Sequence, residues 1–148
     1  MAKTEPVELT NMCMLRDAQG RYLVEDRVDP NWGGLVFPGG HVEHLESFRD
    51  SMIREFREET GLTLEDPRLC GVKQFTHQDG SRFVVFYYRA SRFSGEIRSS
   101  EEGEILWLTR EEIDARKTVP GFYEMLRLFE DNDLDELYYG MDDNPVFL

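Results

Sequence analysis

Apolar residues fall in short runs separated by turn residues along most of the chain, and shift to a helical period in two places. Val7–Leu15 carries Val7, Leu9, Met12, Met14 and Leu15 and predicts a first strand. Asp17-Ala18-Gln19-Gly20 supplies turn chemistry, so residues 21–26 are expected to return as the second arm of a hairpin. Asp29-Pro30-Asn31-Trp32-Gly33-Gly34 reads as a loop and 35–37 as a short strand. Ser47 and Asp50 then form a Ser-x-x-Asp helix start, Met52, Ile53 and Phe56 lie on one arc of that helix, and Gly61 is its natural stop. Residues 69–76 and Arg82–Ala90 predict two strands joined across Asp79-Gly80. The second, FVVFYYRA, is almost continuously apolar and is expected in the centre of a sheet. Another strand is expected over 105–108, followed by a short helix capped by Thr109. Phe122, Met125, Leu126 and Phe129 recur at helical spacing and predict a core-facing helix over 120–129. No repeat, low-complexity segment or linker divides the chain.

A length of 148 residues suits one domain with a real core, and no run approaches the ~20 apolar residues that span a bilayer. The opening MAKTEPVELT lacks the apolar centre of an export signal, so the expected location is cytoplasmic, with no membrane partner. Cys13 and Cys70 sit in strand-like segments outside any Cys-x-x-Cys spacing and are expected to be buried, reduced thiols. His41, His44 and His77 match no zinc spacing, so no zinc is expected. A net charge of −13 argues against broad binding to nucleic-acid polymers, whose affinity comes from Lys and Arg neutralising phosphates. It leaves room for a small phosphorylated ligand whose charge is met by bound metal. Much of the acidic excess lies in residues 130–143, an expected solvated surface.

Candidate chemistry concentrates in residues 39–62. Gly39 and Gly40 can adopt a turn closed to other residues and admit a bulky anion. On the helix that follows, Glu55, Glu58 and Glu59 project within roughly a 100° arc. Carboxylates so placed repel one another and call for a cation, and an all-oxygen set suits Mg²⁺ or Mn²⁺. A solvated acidic face paired with Arg54 and Arg57 is the alternative reading of the helix taken alone.

The run from Gly40 through Glu46 to Arg54-Glu55-Phe56-Arg57-Glu58-Glu59-Thr60-Gly61-Leu62 resembles the Nudix box, GX5EX7REUXEEXGU, over residues 40–62. All seven specified polar and glycine positions are filled, a coincidence on the order of one in a hundred million for a random start site. Phe56 alone departs mildly, standing where the family usually has an aliphatic residue. The resemblance implies an α/β fold, an α/β/α sandwich with a central mixed β-sheet, forming a single Nudix hydrolase domain over 1–148. It implies metal held by the Gly39 carbonyl, Glu55, Glu58 and Glu59, with Glu55 a candidate base. Glu46 and Arg54 are the pair that ties loop to helix, and Gly61 is structural. A further catalytic or metal-binding Glu is expected about six residues before a Trp. With Trp107 as marker Glu101 is the choice, with Glu102 and Glu104 as the alternatives.

By the same resemblance Arg27, Phe37, Gly40, Phe75, Phe83 and Tyr87 are candidate substrate contacts. The activity implied is metal-dependent hydrolysis of a nucleoside diphosphate linked to another group. The segment Thr76-His77-Gln78-Asp79-Gly80 lacks the Pro of ADP-ribose pyrophosphatases and the Tyr of diadenosine-polyphosphate hydrolases, and the coenzyme A signature is missing. The expectation is therefore a MutT-type enzyme, monomeric or homodimeric, acting on a nucleoside triphosphate, with 8-oxo-dGTP the leading candidate.

Overall fold

The first strand is apolar on both faces because it lies between two layers. In the computed structural model, which describes residues 3–148, the strands are β1 Val7–Leu15, β2 Tyr22–Arg27, β3 Gly34–Val36 and β4 Gly39–His41. Helix α1 Phe48–Thr60 follows, then β5 Leu62–Glu65, β6 Arg68–Thr76, β7 Arg82–Ala90, β8 Arg92–Gly95 and β9 Gly103–Leu108. The chain closes with α2 Arg110–Asp114, α3 Phe122–Glu130, β10 Glu136–Tyr139 and β11 Pro145–Phe147. The main sheet has the order β11-β10-β6-β7-β1-β4. It is mixed: β1 runs parallel to β7 over nine residue pairs and antiparallel to β4. A second, antiparallel sheet has the order β3-β2-β9, and β5 pairs with β8.

Alternation along the strands sorts the core into two clusters. Cys13 and Leu15 face α1 and pack with Met52, Phe56, Leu62, Leu64 and Tyr88. Met12, Met14, Val85 and Tyr87 face the other way and pack with Phe122, Met125 and Phe129 of α3. The sandwich expected from the resemblance is therefore present, with helices on both faces of a mixed sheet. Helix α1 begins where Ser47 Oγ accepts from Asp50 N at 3.0 Å and ends at Gly61, whose φ of 85° a side chain would strain. Among the described residues no helix is long and apolar enough to cross a membrane.

Three expectations about the elements are corrected. The segments before and after Asp17-Gly20 form no hairpin: one bridge, Arg16 to Tyr22, joins them, and β2 belongs to the second sheet. Both segments are apolar on both faces, so each is buried in a different layer rather than paired at an edge. The acidic tail is more than a solvated surface. Leu137 is fully buried, and β10 extends the main sheet beside β6, with Leu137 opposite Lys73 and Tyr139 opposite Phe75. Gly39 and Gly40 form a strand rather than a turn, and neither is among the glycines with positive φ.

Candidate active site

What those two glycines provide is space. A Cβ on Gly40 would collide with the Glu55 carboxylate, and one on Gly39 with the Asn11 carbonyl. The backbone of β4 thus lies directly against α1. Buried Asn11 holds it there, accepting from Gly40 N at 3.0 Å and donating to Ser51 Oγ of α1 at 2.9 Å. Sequence reasoning missed Asn11, since its role exists only once β1, β4 and α1 meet.

Arg54 clamps the loop between β4 and α1. Its Nε and Nη2 donate to the two oxygens of Glu46 at 2.7 and 2.9 Å, and Nη2 also donates to the His41 carbonyl at 3.0 Å. Its Nη1 reaches Glu55 at 2.9 Å and Glu58 at 3.3 Å. The bond to Glu46, then burial and the Glu55 carboxylate, leave the net shift of its pKa upward, so the guanidinium is a permanent cation fixed at the rim. Arg54 therefore orients Glu55 while remaining engaged with the loop.

Glu55, Glu58 and Glu59 line one cleft of about 700 Å³ with Arg27, Gly39, Gly40, Glu101 and Glu102. At its inner end Glu59 and Glu102 meet Glu25, and the three carboxylates each place an oxygen within 4.8 Å of the others. Glu59 is buried and accepts from Gly39 N at 2.9 Å. Glu25, on β2, is 1% exposed and neither carboxylate oxygen meets a donor. Burial, and then the neighbouring Glu25, push the Glu59 carboxyl up to about 10. Two buried acids facing each other require either a shared proton or a cation, and an all-carboxylate donor set fits a hard divalent ion.

The loop glutamate that joins this group is Glu102. Glu101 lines the cleft but is not one of the three converging carboxylates, and Glu104 sits on β9 opposite Asp26, outside the cleft. The tight turn closed by Ser100 and Gly103 decides which side chain turns inward, and spacing from Trp107 does not encode that turn. Glu25 was also missed: it directly follows the apolar run Tyr22-Leu23-Val24 and precedes Asp26 and Arg27, so the residues read as an ordinary charged strand end.

The cleft opens into an aromatic slot of about 390 Å³ that shares Arg27, Gly39, Gly40, His41 and Glu59 with it. Phe75 and Phe83, paired across β6 and β7, stack at 5.0 Å and form one wall, with Trp32, Val85, Met125 and Lys73 around them. Arg27 stands between the two spaces, its guanidinium 5.5 Å from the Trp32 ring centre. Phe37 reaches the slot only as its floor, being 1% exposed and packed on Tyr22, Phe122 and Phe129. Tyr87 is corrected: α3 covers it, its ring stacks on Phe129 at 4.3 Å, and it lines neither space. His41 and His77 both approach Glu8, at 2.7 and 3.8 Å. Cys13 and Cys70 are free thiols, the first buried and the second half-buried.

A larger concavity of about 840 Å³ collects Arg16, Arg68, Arg89, Arg92 and Arg110 at the other end of β1 and β7. Arg68, Arg92 and Arg110 are matched there by Asp66, Asp114 and Glu130 in exposed pairs, so it carries the features of a salt-bridged surface.

The NUDIX domain family profile matches residues 8–129. The uncharacterized Nudix hydrolase YvcI of Bacillus subtilis is 40% identical over 97 residues, 62% of this chain and 61% of that protein. The NAD-capped RNA hydrolase NudC of Mycobacterium tuberculosis is 32% identical over 109 residues, 70% of this chain and 33% of that one. The matches thus span less than two thirds of either relative. The crystal structure of a mutator MutT protein from Bacillus halodurans superposes with a TM-score of 0.75 at 26% identity, covering 94% of each chain.

Proposed function

The chain belongs to the Nudix family, and from that premise we propose that residues 1–148 act as one Nudix hydrolase domain cleaving a nucleoside triphosphate to the monophosphate and pyrophosphate, with 8-oxo-dGTP the leading substrate. The observation that carries this reading is a continuous concavity. A carboxylate cleft lined by Glu55, Glu58, Glu59 and Glu102 opens, past buried Glu25, into a slot walled by stacked Phe75 and Phe83. The first suits metal and phosphates, the second a flat base.

Glu25, Glu59 and Glu102, together with Glu55, Glu58 and the Gly39 carbonyl, are the groups proposed to hold divalent ions. Bound Mg²⁺ or Mn²⁺ supplies polarisation of the phosphoryl oxygens and neutralises charge growing on the leaving pyrophosphate. Glu55, held by Arg54 against Gly40, takes a proton from the attacking water as its oxygen bonds to phosphorus and the phosphoanhydride bond breaks. Arg27 binds the nucleotide where cleft and slot meet. Phe75, Phe83 and Trp32 hold the base flat and exclude water from it.

The test is pyrophosphate release from canonical and oxidised nucleoside triphosphates with Mg²⁺ and Mn²⁺, run beside ADP-ribose, nucleotide sugars and NAD-capped RNA. Metal-dependent cleavage of triphosphates, fastest with 8-oxo-dGTP, is expected. Equal rates on oxidised and ordinary guanine nucleotides would remove the sanitising role. Cleavage of only the capped RNA, the substrate in the name of the Mycobacterium relative, would replace the triphosphate reading. Nucleotide binding without turnover would reduce the protein to a noncatalytic module.

A further inference from the structure

The slot also holds a cation that no carboxylate of the described residues pairs with. Lys73, on β6, lines the slot half-buried, and among the described residues no carboxylate lies within ion-pair distance of Nζ and no acceptor within hydrogen-bond distance. Its ammonium lies between the Phe75 and Tyr139 rings, 5.8 and 5.3 Å from their centres. Burial lowers its pKa, while Glu124 acts on it from a longer range in the opposite sense. A half-buried ammonium with no protein acceptor is free to donate to a group that enters the slot, at no cost of a broken pair.

Strand pairing says which part of a nucleotide can do so. Gly39 and Gly40 of β4 border the carboxylates, and β4, β1, β7 and β6 are successive neighbours, with Thr10 opposite Val85 and Val85 opposite Lys73. Three strand spacings put Lys73 roughly 14 Å across the sheet from the metal side. That separation places it at the base end of a nucleotide whose phosphates occupy the cleft, on the same strand as Phe75 and beside the stacked rings that would grip the base.

Resting on the nucleotide reading above, we infer that Lys73 reads the base, donating from Nζ to a ring carbonyl and so selecting oxo-bases of the guanine and uracil type over adenine and cytosine. Guanine and thymine present a carbonyl oxygen where adenine and cytosine present an amino group. An amino group facing the ammonium sets donor against donor and leaves the charge unsatisfied, a difference worth about ten- to hundredfold in affinity.

The test is calorimetric binding of GMP, UMP, AMP and CMP, with Mg²⁺, to the wild-type chain, Lys73→Met and Lys73→Gln. Monophosphates require no turnover, so binding is judged apart from hydrolysis. The wild type is expected to prefer GMP over AMP by roughly tenfold or more. Lys73→Met should lower GMP affinity to the AMP level and leave AMP unchanged, while Lys73→Gln, which keeps an N–H donor, restores part of the preference. Thermal melting of both variants verifies that they fold. The inference is overturned if the wild type binds no monophosphate, if its GMP to AMP ratio is near one, or if that ratio survives in Lys73→Met. Equal loss of all four ligands would assign Lys73 to sugar or phosphate and overturn it too. A base preference without triphosphate cleavage would sink the hydrolase reading alone.

Discussion

The acidic cleft and the aromatic slot share a wall at Gly39, Gly40 and Glu59, yet they are assembled from different kinds of sequence information. One side of the cleft comes from a single short stretch: Gly39, Gly40, Glu55, Glu58 and Glu59 lie within 21 residues, and the helical repeat brings the three acids together, while Arg27, Glu101 and Glu102 close the other side. The slot draws Trp32 from a loop, Lys73, Phe75 and Phe83 from the paired strands β6 and β7, and Met125 from α3, which meet only in the folded chain. A site for chemistry common to a family can be carried by a short motif. A site for recognition is free to vary, because each wall residue can change without disturbing the others.

If this division of labour holds, Glu55→Gln gives the largest effect. It should reduce kcat by about 10²–10⁴-fold, the usual contribution of a positioned base, with the melting temperature and the metal-free GMP affinity unchanged. Single-turnover kinetics beside calorimetry check it. A matching fall in GMP affinity would mean that cleft and slot are not separate.

Glu25→Gln is next. Removing one of two facing buried acids should weaken Mn²⁺ binding by roughly 10–100-fold while raising the melting temperature of the metal-free protein. Paramagnetic Mn²⁺ titration and differential scanning give the two readouts. Unchanged Mn²⁺ affinity would leave Glu25 with no part in metal binding.

Phe83→Ala should act on the slot alone, raising KM about tenfold through loss of ~1–2 kcal/mol of base stacking, with kcat and Mn²⁺ affinity held. A drop in kcat without a change in KM would instead make the ring part of the catalytic geometry.

The same division explains what could be read from the chain beforehand. Ser47 and Gly61 are local caps read from the residues, and the Arg54–Glu46 pair, implied by the resemblance, spans only eight positions; in the structure Ser47 and Gly61 cap α1 and Arg54 Nε lies 2.7 Å from Glu46. Glu25 and Glu102 depend on how β2 and the loop before β9 are laid beside α1, which no spacing within either segment states. Tyr87 has the strand periodicity of Phe83 and Val85, and only the position of α3 over its ring removes it from the slot. The lost hairpin between β1 and β2 has the same origin. Turn chemistry gave the reversal, but nine pairs with β7 determined the partner.

The smallest effect concerns pH and the price of keeping Glu25 and Glu59 together. The Glu59 carboxyl rises from 4.5 to about 10 on folding without metal, so the folded chain holds a proton that the unfolded chain releases. Below about pH 4 both states carry it, and its contribution to stability is fully present. Between about pH 5 and 10 that contribution is lost as pH rises, at no more than ~1.4 kcal/mol per unit from this group. With chelator present, the melting temperature is therefore expected to fall between pH 6 and 9 by a few degrees per unit. Glu25→Gln should flatten the slope by removing the opposing charge, and saturating Mg²⁺ should flatten it in the wild type by taking the proton's place. Scanning fluorimetry across that range checks all three curves, and a wild-type slope unaffected by either change would place the titration elsewhere among the acids.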